Sequence, residues 1–176
     1  MIVKGFVLVS LSIVLSLALV YAVVDYAYDG FENGWDSSQE GWLGPWSHEG
    51  NALIIQHNNY AGDNHLSLKG PDNPSGIQRG LVRRYINVTT VPNIEEISFY
   101  ARIAYFEEDD FADFRVGGQN GYSTYRRFNV TDSDNVWKFY SFDMTGFNEG
   151  NEPYIEFEAL MDSKNDFVNI DEIYVR

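Results

Sequence analysis

Hydrophobic and polar residues alternate along several short stretches of the chain, most clearly in EISFYARIA at 96–104 and in YIEFEAL at 154–160. Side chains of a β-strand point to opposite faces in turn, so each stretch has one core face and one polar face. Turn-rich segments such as GPDNPSG at 70–76 and GGQNG at 117–121 separate the stretches,. The pattern predicts an antiparallel β-sandwich with strands at 26–32, 52–56, 65–69, 81–88, 96–104, 111–116, 124–130, 136–142, 154–160 and 167–175.

The last predicted strand changes face partway along DFVNIDEIYVR. Val168 and Ile170 share one face, whereas Ile173 and Val175 have the opposite parity,. Three explanations fit this pattern: a β-bulge that adds one residue, a strand covered on both faces, or a kink that turns the carboxylate of Asp171 toward a buried partner. The sequence alone leaves all three open.

The N-terminal segment MIVKGFVLVSLSIVLSLALVYAVV is apolar and carries a single charge, at Lys4. It is long enough to span a bilayer as an anchor helix, and it also has the form of a secretory signal that is cleaved after Ala22, so that the mature chain starts at Val23,. The chain is therefore divided into a hydrophobic helix at 1–24 and a sandwich domain at 25–176.

The same segment resembles a type IV prepilin. A short basic leader ends in Lys4-Gly5 and is followed by Phe6 and a hydrophobic stretch, although Ser10 stands where bacterial pilins usually carry a glutamate. The resemblance implies a helix that packs in the core of a filament. All three interpretations place the rest of the chain outside the cytoplasm, either extracellular or at the cell surface.

Charge and cysteine content narrow the function classes. The chain has a net charge of −14 at pH 7 and contains no cysteine. A strongly acidic surface repels nucleic acid and concentrates cations, which argues against a nucleic-acid partner. Without cysteine, an exported domain must hold its fold by packing, alone or together with a metal ion.

Four motifs follow one another between 25 and 176: DYAYDGFENGW, YAGDNHLSLKG, GLVRRYINVTTVPNIEEISFYARI and DFVNIDEIYV. Together they resemble the calcium-stapled jelly-roll domains found among carbohydrate-binding modules and related galactose-binding-like domains. The resemblance implies a jelly-roll sandwich that serves as a binding module.

The resemblance also implies a structural Ca²⁺ that ties the first strand to the last. Its ligands would be the carboxylates matching Glu32 and Asp171, together with backbone oxygens from 62–64. Ca²⁺ takes about six to eight oxygen ligands, and a buried carboxylate needs a cation beside it. Asp29 is a further candidate, of a residue type equally typical of turns. The candidate metal ligands are therefore Glu32, Asp63, Asn64 and Asp171.

A loop-like segment, NGWDSSQEGWLGPWSHEG, contains Trp35, Trp42 and Trp46, and its glycines and proline argue against a strand interior,. Flat aromatic rings stack against the C–H faces of sugars, so this segment is a candidate platform for carbohydrate. The alternative is that the rings cap the end of the sandwich core. Further candidates for ligand binding are Tyr60, Tyr122, Tyr125 and Arg126.

Catalytic constellations are weak. Glu156 and Glu158 lie two residues apart on one strand face, and a glycosidase needs two carboxyl groups, one protonated and one ionised, at a controlled separation,. An ordinary solvent-facing pair is the preferred interpretation. The three histidines lack zinc-like spacing, and we expect no enzymatic activity,.

The sequence thus predicts a non-enzymatic binding module for a polysaccharide or a cell-surface glycan, with Ca²⁺ as a structural ion. The alternative is a structural subunit of a cell-surface filament, in which the helix at 1–24 self-assembles and the sandwich is exposed. If that helix is uncut, it attaches the chain to a membrane.

Overall fold

The computed structural model of the protein describes residues 27–36, 40–72, 76–147 and 150–176. Within these ranges no helix is long and apolar enough to cross a bilayer, and the hydrophobic helix predicted at 1–24 lies outside them. The described residues include two single-turn 3₁₀ helices, at Gly34–Asp36 and Val130–Asp132. The strands are β1 (Ala27–Asp29), β2 (Trp42–Gly50), β3 (Ala52–Gln56), β4 (Asn64–Lys69), β5 (Gln78–Ile86), β6 (Glu96–Ala104), β7 (Phe111–Gly118), β8 (Gly121–Phe128), β9 (Lys138–Asp143), β10 (Tyr154–Met161) and β11 (Phe167–Val175).

The strands form two antiparallel sheets packed face to face, which confirms the predicted jelly-roll sandwich. The first sheet has the order β3-β4-β11-β6-β9. One edge of β11 has two partners: its first half pairs with β4, and its second half pairs with β1. The second sheet has the order β2-β5-β10-β7-β8. The β6–β7 and β10–β11 connections both cross between the sheets, and they do so at the same end, because Ala104 pairs with Phe167.

An aromatic cluster fills the centre of the core. Phe99 of β6 meets Phe114 of β7 and Phe157 of β10 edge-on, with ring centroids 4.9 and 5.0 Å apart. All three rings are buried. Burying a side chain of this size stabilises the fold by about 1.5–3 kcal/mol, and each edge-to-face pair adds about 0.5–1.5 kcal/mol. Both sheets contribute to the cluster, so it fixes one sheet against the other.

A buried ion pair also links the two sheets. Arg84 in β5 points into the core and donates to the carboxylate of Asp29 in β1, and both side chains are fully buried. Asp29 also accepts hydrogen bonds from Trp46 Nε1 and from the backbone N–H of Phe31, both at 2.8 Å. A charge in the core needs such partners because its desolvation is costly. The positive charge that compensates the Asp29 carboxylate is therefore the guanidinium of Arg84.

The change of face in β11 is a β-bulge. The pairing of β11 with β6 shifts register between Asp171 and Tyr174, and Glu172 adopts a φ of +51°. The extra residue lets both Ile170 and Ile173 point into the core, where both are fully buried,. On its other edge, β11 changes partner over the same stretch, from β4 to β1. The bulge is confirmed, and Asp171 at its start is buried as well.

The second half of the segment predicted as a tryptophan-bearing loop, Trp42–Gly50, is strand β2, at the edge of the second sheet. Gly44 adopts a φ of +72°, and the pairing with β5 shifts register between Leu43 and Ser47. Pro45 lies in this irregular stretch, where it is tolerated because edge strands and bulges leave backbone N–H groups outside the ladder. The glycine and proline mark a bulged edge strand, and the prediction of a loop was wrong.

Candidate functional site

The outward surface of the second sheet carries rows of tyrosines, arginines and carboxylates. Alternate residues of its strands, such as Phe157, point into the core. On the outer side, the register places Tyr85, Tyr154 and Tyr122 in one row, with Gly117 between the last two. We call this surface the tyrosine–arginine face, and it comprises Arg79, Arg83, Tyr85, Asp113, Arg115, Tyr122, Arg127, Tyr154, Glu156 and Glu158.

Arg115 is the centre of a charged network on this face. Its guanidinium contacts three carboxylates, donating to Asp113 at 2.8 Å and to Glu156 at 3.2 Å and forming an ion pair with Glu158. All four side chains are buried, although they lie on the outer side of the sheet. The interpretation of Glu156 and Glu158 as an ordinary solvent-facing pair was therefore wrong.

Three further arginines cover these carboxylates, and between 32 % and 56 % of each arginine side chain remains exposed. Charge-assisted pairs of this kind are short and directional, so each carboxylate holds an arginine head group in a fixed orientation. The pairs are Arg79 with Glu158, Arg83 with Glu156 at 2.9 and 2.5 Å, and Arg127 with Asp113 at 2.7 and 2.8 Å.

The charges on the face nearly balance. Its four arginines meet three carboxylates, and Glu49 contacts Arg79 at 3.4 Å from the edge of the sheet. Burial raises the pKa of Asp113, but the hydrogen bonds and charges of Arg127 and Arg115 outweigh that effect and hold it below its ordinary value. In a chain with a net charge of −14, this face is a locally neutral patch.

The tyrosine row presents rings at different depths. Tyr154 lies beneath Arg83, whose guanidinium carbon is 4.1 Å from the ring centroid, and a Cβ at Gly117 would come within 2.5 Å of this ring. Tyr85 packs edge-on against Tyr154 at 5.6 Å and is 36 % exposed. Tyr122 covers the central arginine at 4.8 Å and is 55 % exposed. Two ring surfaces thus face solvent beside oriented arginine N–H groups.

Two of the tryptophans predicted as a sugar platform lie in the core. Trp42 and Trp46 are 6 % and 3 % exposed, with ring centroids 6.1 Å apart. Their indole N–H groups donate to the backbone oxygen of Tyr28 at 3.0 Å and to the Asp29 carboxylate. The expected exposure of these rings was wrong, and their burial agrees with the alternative that they cap the core.

The other candidate ligand-binding residues are dispersed. Trp35 stacks on the imidazole ring of His48 with centroids 4.3 Å apart, and Tyr125 packs against the core. Arg126 donates to Asp132 at 2.5 Å. Of the residues proposed from the sequence for ligand binding, Tyr122 alone belongs to the tyrosine–arginine face.

Tyr60 lies on the outward surface of the first sheet. Its ring stacks on Tyr100 with centroids 3.5 Å apart and meets Trp137 edge-on at 6.2 Å. Trp137 donates its indole N–H to the backbone oxygen of Asn58 at 3.0 Å. Tyr60 and Tyr122 are therefore on opposite sides of the sandwich and do not form one site.

Glu32 and Asn64, two of the candidate metal ligands, are in contact. The Glu32 carboxylate accepts the backbone N–H groups of Asp63 at 2.8 Å and of Asn64 at 3.1 Å. Gly62 has a φ of +60°, and a Cβ there would overlap the carboxylate. The loop between β3 and β4 therefore forms a close cradle around Glu32.

Asp171 contacts the middle of the same loop. Its carboxylate accepts the backbone N–H groups of Tyr60 and Ala61, both at 3.1 Å, and that of Glu172 at 2.9 Å. Burial raises the pKa of Asp171 to about 7, against the effect of these hydrogen bonds. A buried carboxyl of this kind is stabilised by a nearby cation, and Glu32 offers a second carboxylate beside the same loop, whose backbone N–H groups hold both side chains,. Carboxylate oxygens are the ligands that Ca²⁺ prefers.

A second group of carboxylates lies where the β6–β7 and β10–β11 connections meet. Oxygens of Asp110, Asp162 and Asp166 lie within 4.8 Å of one another. Asp110 and Asp166 are buried and Asp162 is exposed. Three carboxylates at this separation could hold a metal ion. The sequence did not indicate this group, because its members come from two distant loops.

Most of the tyrosine–arginine face was not predicted, although the alternation of residues in two strands indicates which side chains point outward. In β10, Tyr154, Glu156 and Glu158 share the parity opposite to the core residues, and in β5 the same holds for Arg83 and Tyr85. Each strand by itself resembles an ordinary polar face. The strand register joins these side chains into one surface, and register depends on long-range pairing.

His65 in β4 is buried. Its Nδ1 lies 2.6 Å from Asn59 Oδ1. Burial, together with the charges of Arg102 and Lys69, lowers the pKa of His65 to about 4, and a hydrogen bond with Asn169 opposes the shift. The unfolded chain therefore takes up this proton near pH 6.5, whereas the folded protein takes it up only near pH 4.

This difference predicts a loss of stability as the pH falls from 6.5 toward 4, and no contribution from His65 above that range. Between about pH 7 and pH 5, the wild-type protein is expected to lose about 2 kcal/mol more of its free energy of unfolding than His65→Gln. Urea denaturation of both proteins at the two pH values measures this. Equal losses in both would show that His65 does not drive the pH dependence.

No protein-family model matches the chain, and no curated protein matches its sequence. Solved structures do match its fold. A family 61 carbohydrate-binding module in complex with β-1,4-galactotriose is 16 % identical with a TM-score of 0.58, covering 84 % of this chain and 93 % of that one. The xylan-binding domain from family 22 is 18 % identical with a TM-score of 0.57, covering 85 % and 92 %. A cleaved adhesin domain of Lys-gingipain from Porphyromonas gingivalis is 11 % identical with a TM-score of 0.60, covering 85 % and 95 %.

These alignments span nearly the whole of each matched domain, so they establish a common architecture. Identities of 11–18 % transfer no ligand from one protein to another. The fold implied by the four sequence motifs is therefore confirmed, and the chain has the β-sandwich fold seen in carbohydrate-binding modules.

Proposed function

We propose that the protein is a non-enzymatic extracellular carbohydrate-binding module that binds a neutral polysaccharide on the tyrosine–arginine face. The observation that carries this proposal is a pair of exposed tyrosine rings in one row, beside arginines that buried carboxylates hold in place. The fold supports it, because the matched structures include a module with bound galactotriose and a xylan-binding domain.

The exposed rings supply the apolar part of the contact. Sugar rings present C–H groups on one face, and these stack on aromatic rings. Tyr85 and Tyr122 belong to one row, on β5 and β8, with β10 and β7 between them. Three strand spacings amount to about 14 Å. A polysaccharide that crosses the strands would therefore contact both rings through different sugar units.

The arginines supply the polar part. Arg83 and Arg127 have exposed N–H groups that can donate to sugar hydroxyls,. Because Glu156 and Asp113 already fix their orientation, binding costs little additional side-chain entropy,. The proposal therefore gives Glu156 an anchoring role rather than a catalytic one.

The balance of charge favours a neutral ligand. The arginines of the face are paired with carboxylates, so they offer little net positive potential to a polyanion. The chain as a whole, with a net charge of −14, repels acidic polysaccharides,. Hydrogen bonding and stacking with uncharged sugars are compatible with both features.

Isothermal titration of the full-length protein with a panel of soluble polysaccharides tests the proposal. The panel begins with β-1,4-galactan and xylan, the classes bound by two of the structural neighbours, and includes an acidic polysaccharide as a comparison. A detergent keeps the hydrophobic segment at 1–24 in solution. It should carry no sugar head group, because such a group could compete with the polysaccharide for the binding face. We expect binding to at least one neutral polysaccharide with little dependence on salt. No binding, or binding confined to the polyanion, would contradict the proposal.

A structural Ca²⁺ is part of the same proposal. Glu32, Asp171 and oxygens of the loop at 62–64 would hold it, and it would neutralise the buried carboxylate and tie β11 to the β3–β4 loop,. The filament alternative and membrane attachment rest on residues 1–24, outside the described residues. Nothing in the described part of the chain favours either of them.

Calcium removal is expected to lower the unfolding temperature, because an ion that binds only the folded state stabilises it by mass action. Asp171→Asn should reduce the difference between the calcium-loaded and the chelated protein. Glu95→Gln, which neutralises an exposed carboxylate, is the control and should leave the difference unchanged. Differential scanning calorimetry with and without a chelator measures both. An equal calcium effect in Asp171→Asn and in the wild type would remove Asp171 from the site.

A further inference from the structure

Two of the connections that cross between the sheets at one end of the sandwich, β6–β7 and β10–β11, are joined by acidic side chains. Asp110 ends the β6–β7 connection, and Asp162 and Asp166 lie in the β10–β11 connection. Asp110 accepts the backbone N–H groups of Glu107 at 2.8 Å and of Asp162 at 3.3 Å. Hydrogen bonds from its own loop and from the neighbouring loop thus fix its carboxylate.

One oxygen in this cluster is unsatisfied. Asp166 is 1 % exposed, and its Oδ2 accepts the backbone N–H of Ser163 at 2.8 Å. Its Oδ1 is buried and has no hydrogen-bond partner within the described residues. Burial raises the pKa of Asp166 to about 6, and the charges of Asp110, Glu107 and Asp162 act in the same direction. A buried carboxylate with an unsatisfied oxygen, beside two other carboxylates, is stabilised by a bound cation,.

We propose that Asp110, Asp162 and Asp166 form a second divalent-cation site, and that the ion is Ca²⁺. The three carboxylates offer oxygen ligands alone, which favours a hard cation over zinc or copper. A cavity of about 430 Å³ adjoins the cluster and is lined by Asp166, Ser163 and Glu107. It gives water and the Glu107 carboxylate access to the remaining coordination positions.

This site is distinct from the one at Glu32 and Asp171. Gly70, just after β4, donates its backbone N–H to the carbonyl of Asp166 at 3.0 Å, whereas Asn64, at the start of β4, contacts Glu32. The six residues of β4 therefore separate the two places, by about 20 Å,. The second ion clamps the β6–β7 connection to the β10–β11 connection, and so holds the sheets together at one end.

Calcium stoichiometry tests the proposal. The full-length protein is stripped of metal with a chelator, desalted and titrated with CaCl₂ by isothermal calorimetry. Asp166→Asn is expected to bind one Ca²⁺ fewer per chain than the wild type, whatever happens at Asp171. Glu108→Gln, which removes an exposed charge from the same acidic loop, should bind as many ions as the wild type.

Thermal unfolding gives a second signature. Without metal, Asp166→Asn should melt at a higher temperature than the wild type, because it removes a buried uncompensated charge. With a hundredfold excess of Ca²⁺ over its Kd, the wild type should gain about 5 °C more than the variant. If Asp166→Asn fails to fold, Asp162→Asn serves instead, since that side chain is exposed. Wild-type calcium stoichiometry in these variants would overturn the proposal, and so would a metal-free Asp166→Asn protein that folds but melts below the wild type.

Discussion

Replacing Arg84 with methionine is expected to lower the free energy of unfolding by about 3–5 kcal/mol. Arg84 and Asp29 form an ion pair between the sheets, and both are fully buried. The variant leaves the Asp29 carboxylate in the core without the guanidinium that it pairs with. Because water does not reach this position, solvation cannot replace the lost interaction,. Urea denaturation followed by tryptophan fluorescence measures the change, which should appear in the midpoint rather than in the slope.

The double variant Asp29→Asn/Arg84→Met separates the uncompensated charge from the lost packing. Asparagine keeps an oxygen acceptor for Trp46 Nε1 and carries no charge, so the double variant should be more stable than Arg84→Met alone,. Lys138→Met is the matched control. Lys138 forms an ion pair with Asp134 at 2.6 Å in which both side chains are exposed, so the pair contributes little to the free energy of unfolding,. If Arg84→Met were as stable as this control, the buried pair would not hold the sheets together.

Tyr122→Ala is expected to weaken the binding of a neutral polysaccharide by about 10- to 100-fold, as removal of an aromatic side chain at the centre of an interface does. Tyr122 is 55 % exposed, so the change should leave the fold intact. Tyr85→Ala should have a similar effect, and the two changes together should abolish measurable binding. Titration with the polysaccharide that the wild type binds gives the ratio of dissociation constants.

Tyr105→Ala is the matched control for this prediction. Tyr105 is 61 % exposed and lies in the β6–β7 connection, outside the tyrosine–arginine face. Its loss removes an exposed tyrosine ring without touching the proposed site. Equal weakening by Tyr105→Ala, or full affinity in the double variant of Tyr85 and Tyr122, would place the binding surface elsewhere.

Local patterns predicted the strands well. The stretches at 52–56, 96–104 and 167–175 are β3, β6 and β11 with the same bounds. The stretch at 96–104 has a clear two-residue period, and turn-type residues precede the other two,. Strand β2 was missed because Gly44 and Pro45 interrupt it, and both residues usually indicate loops. Its place at a sheet edge, which tolerates them, depends on pairing with β5 and is not visible in the segment itself,.

The candidate sites also divide into residues that local motifs indicate and residues that meet only through long-range pairing. Glu32 and Asp171 could be chosen as candidate metal ligands because they belong to sequence motifs at the two ends of the domain, and the structure places both beside the β3–β4 loop. The network around Arg115 could not, since its carboxylates come from different strands and meet only through the register of β7 and β10. The tryptophans misled because the glycines and proline of their segment were taken as signs of an exposed loop, whereas Trp42 and Trp46 are buried and donate their N–H groups to buried oxygens.

The pairing of β1 with β11 determines how the domain responds to mechanical load. Ala27 lies opposite Val175, so the two ends of the described chain leave the sandwich side by side. A force that pulls these ends apart loads the antiparallel β1–β11 hydrogen bonds one after another, as in opening a zipper, rather than shearing them all at once. Because β1 spans three residues, we expect this edge to open first, with the ion pair between Asp29 and Arg84 resisting its release.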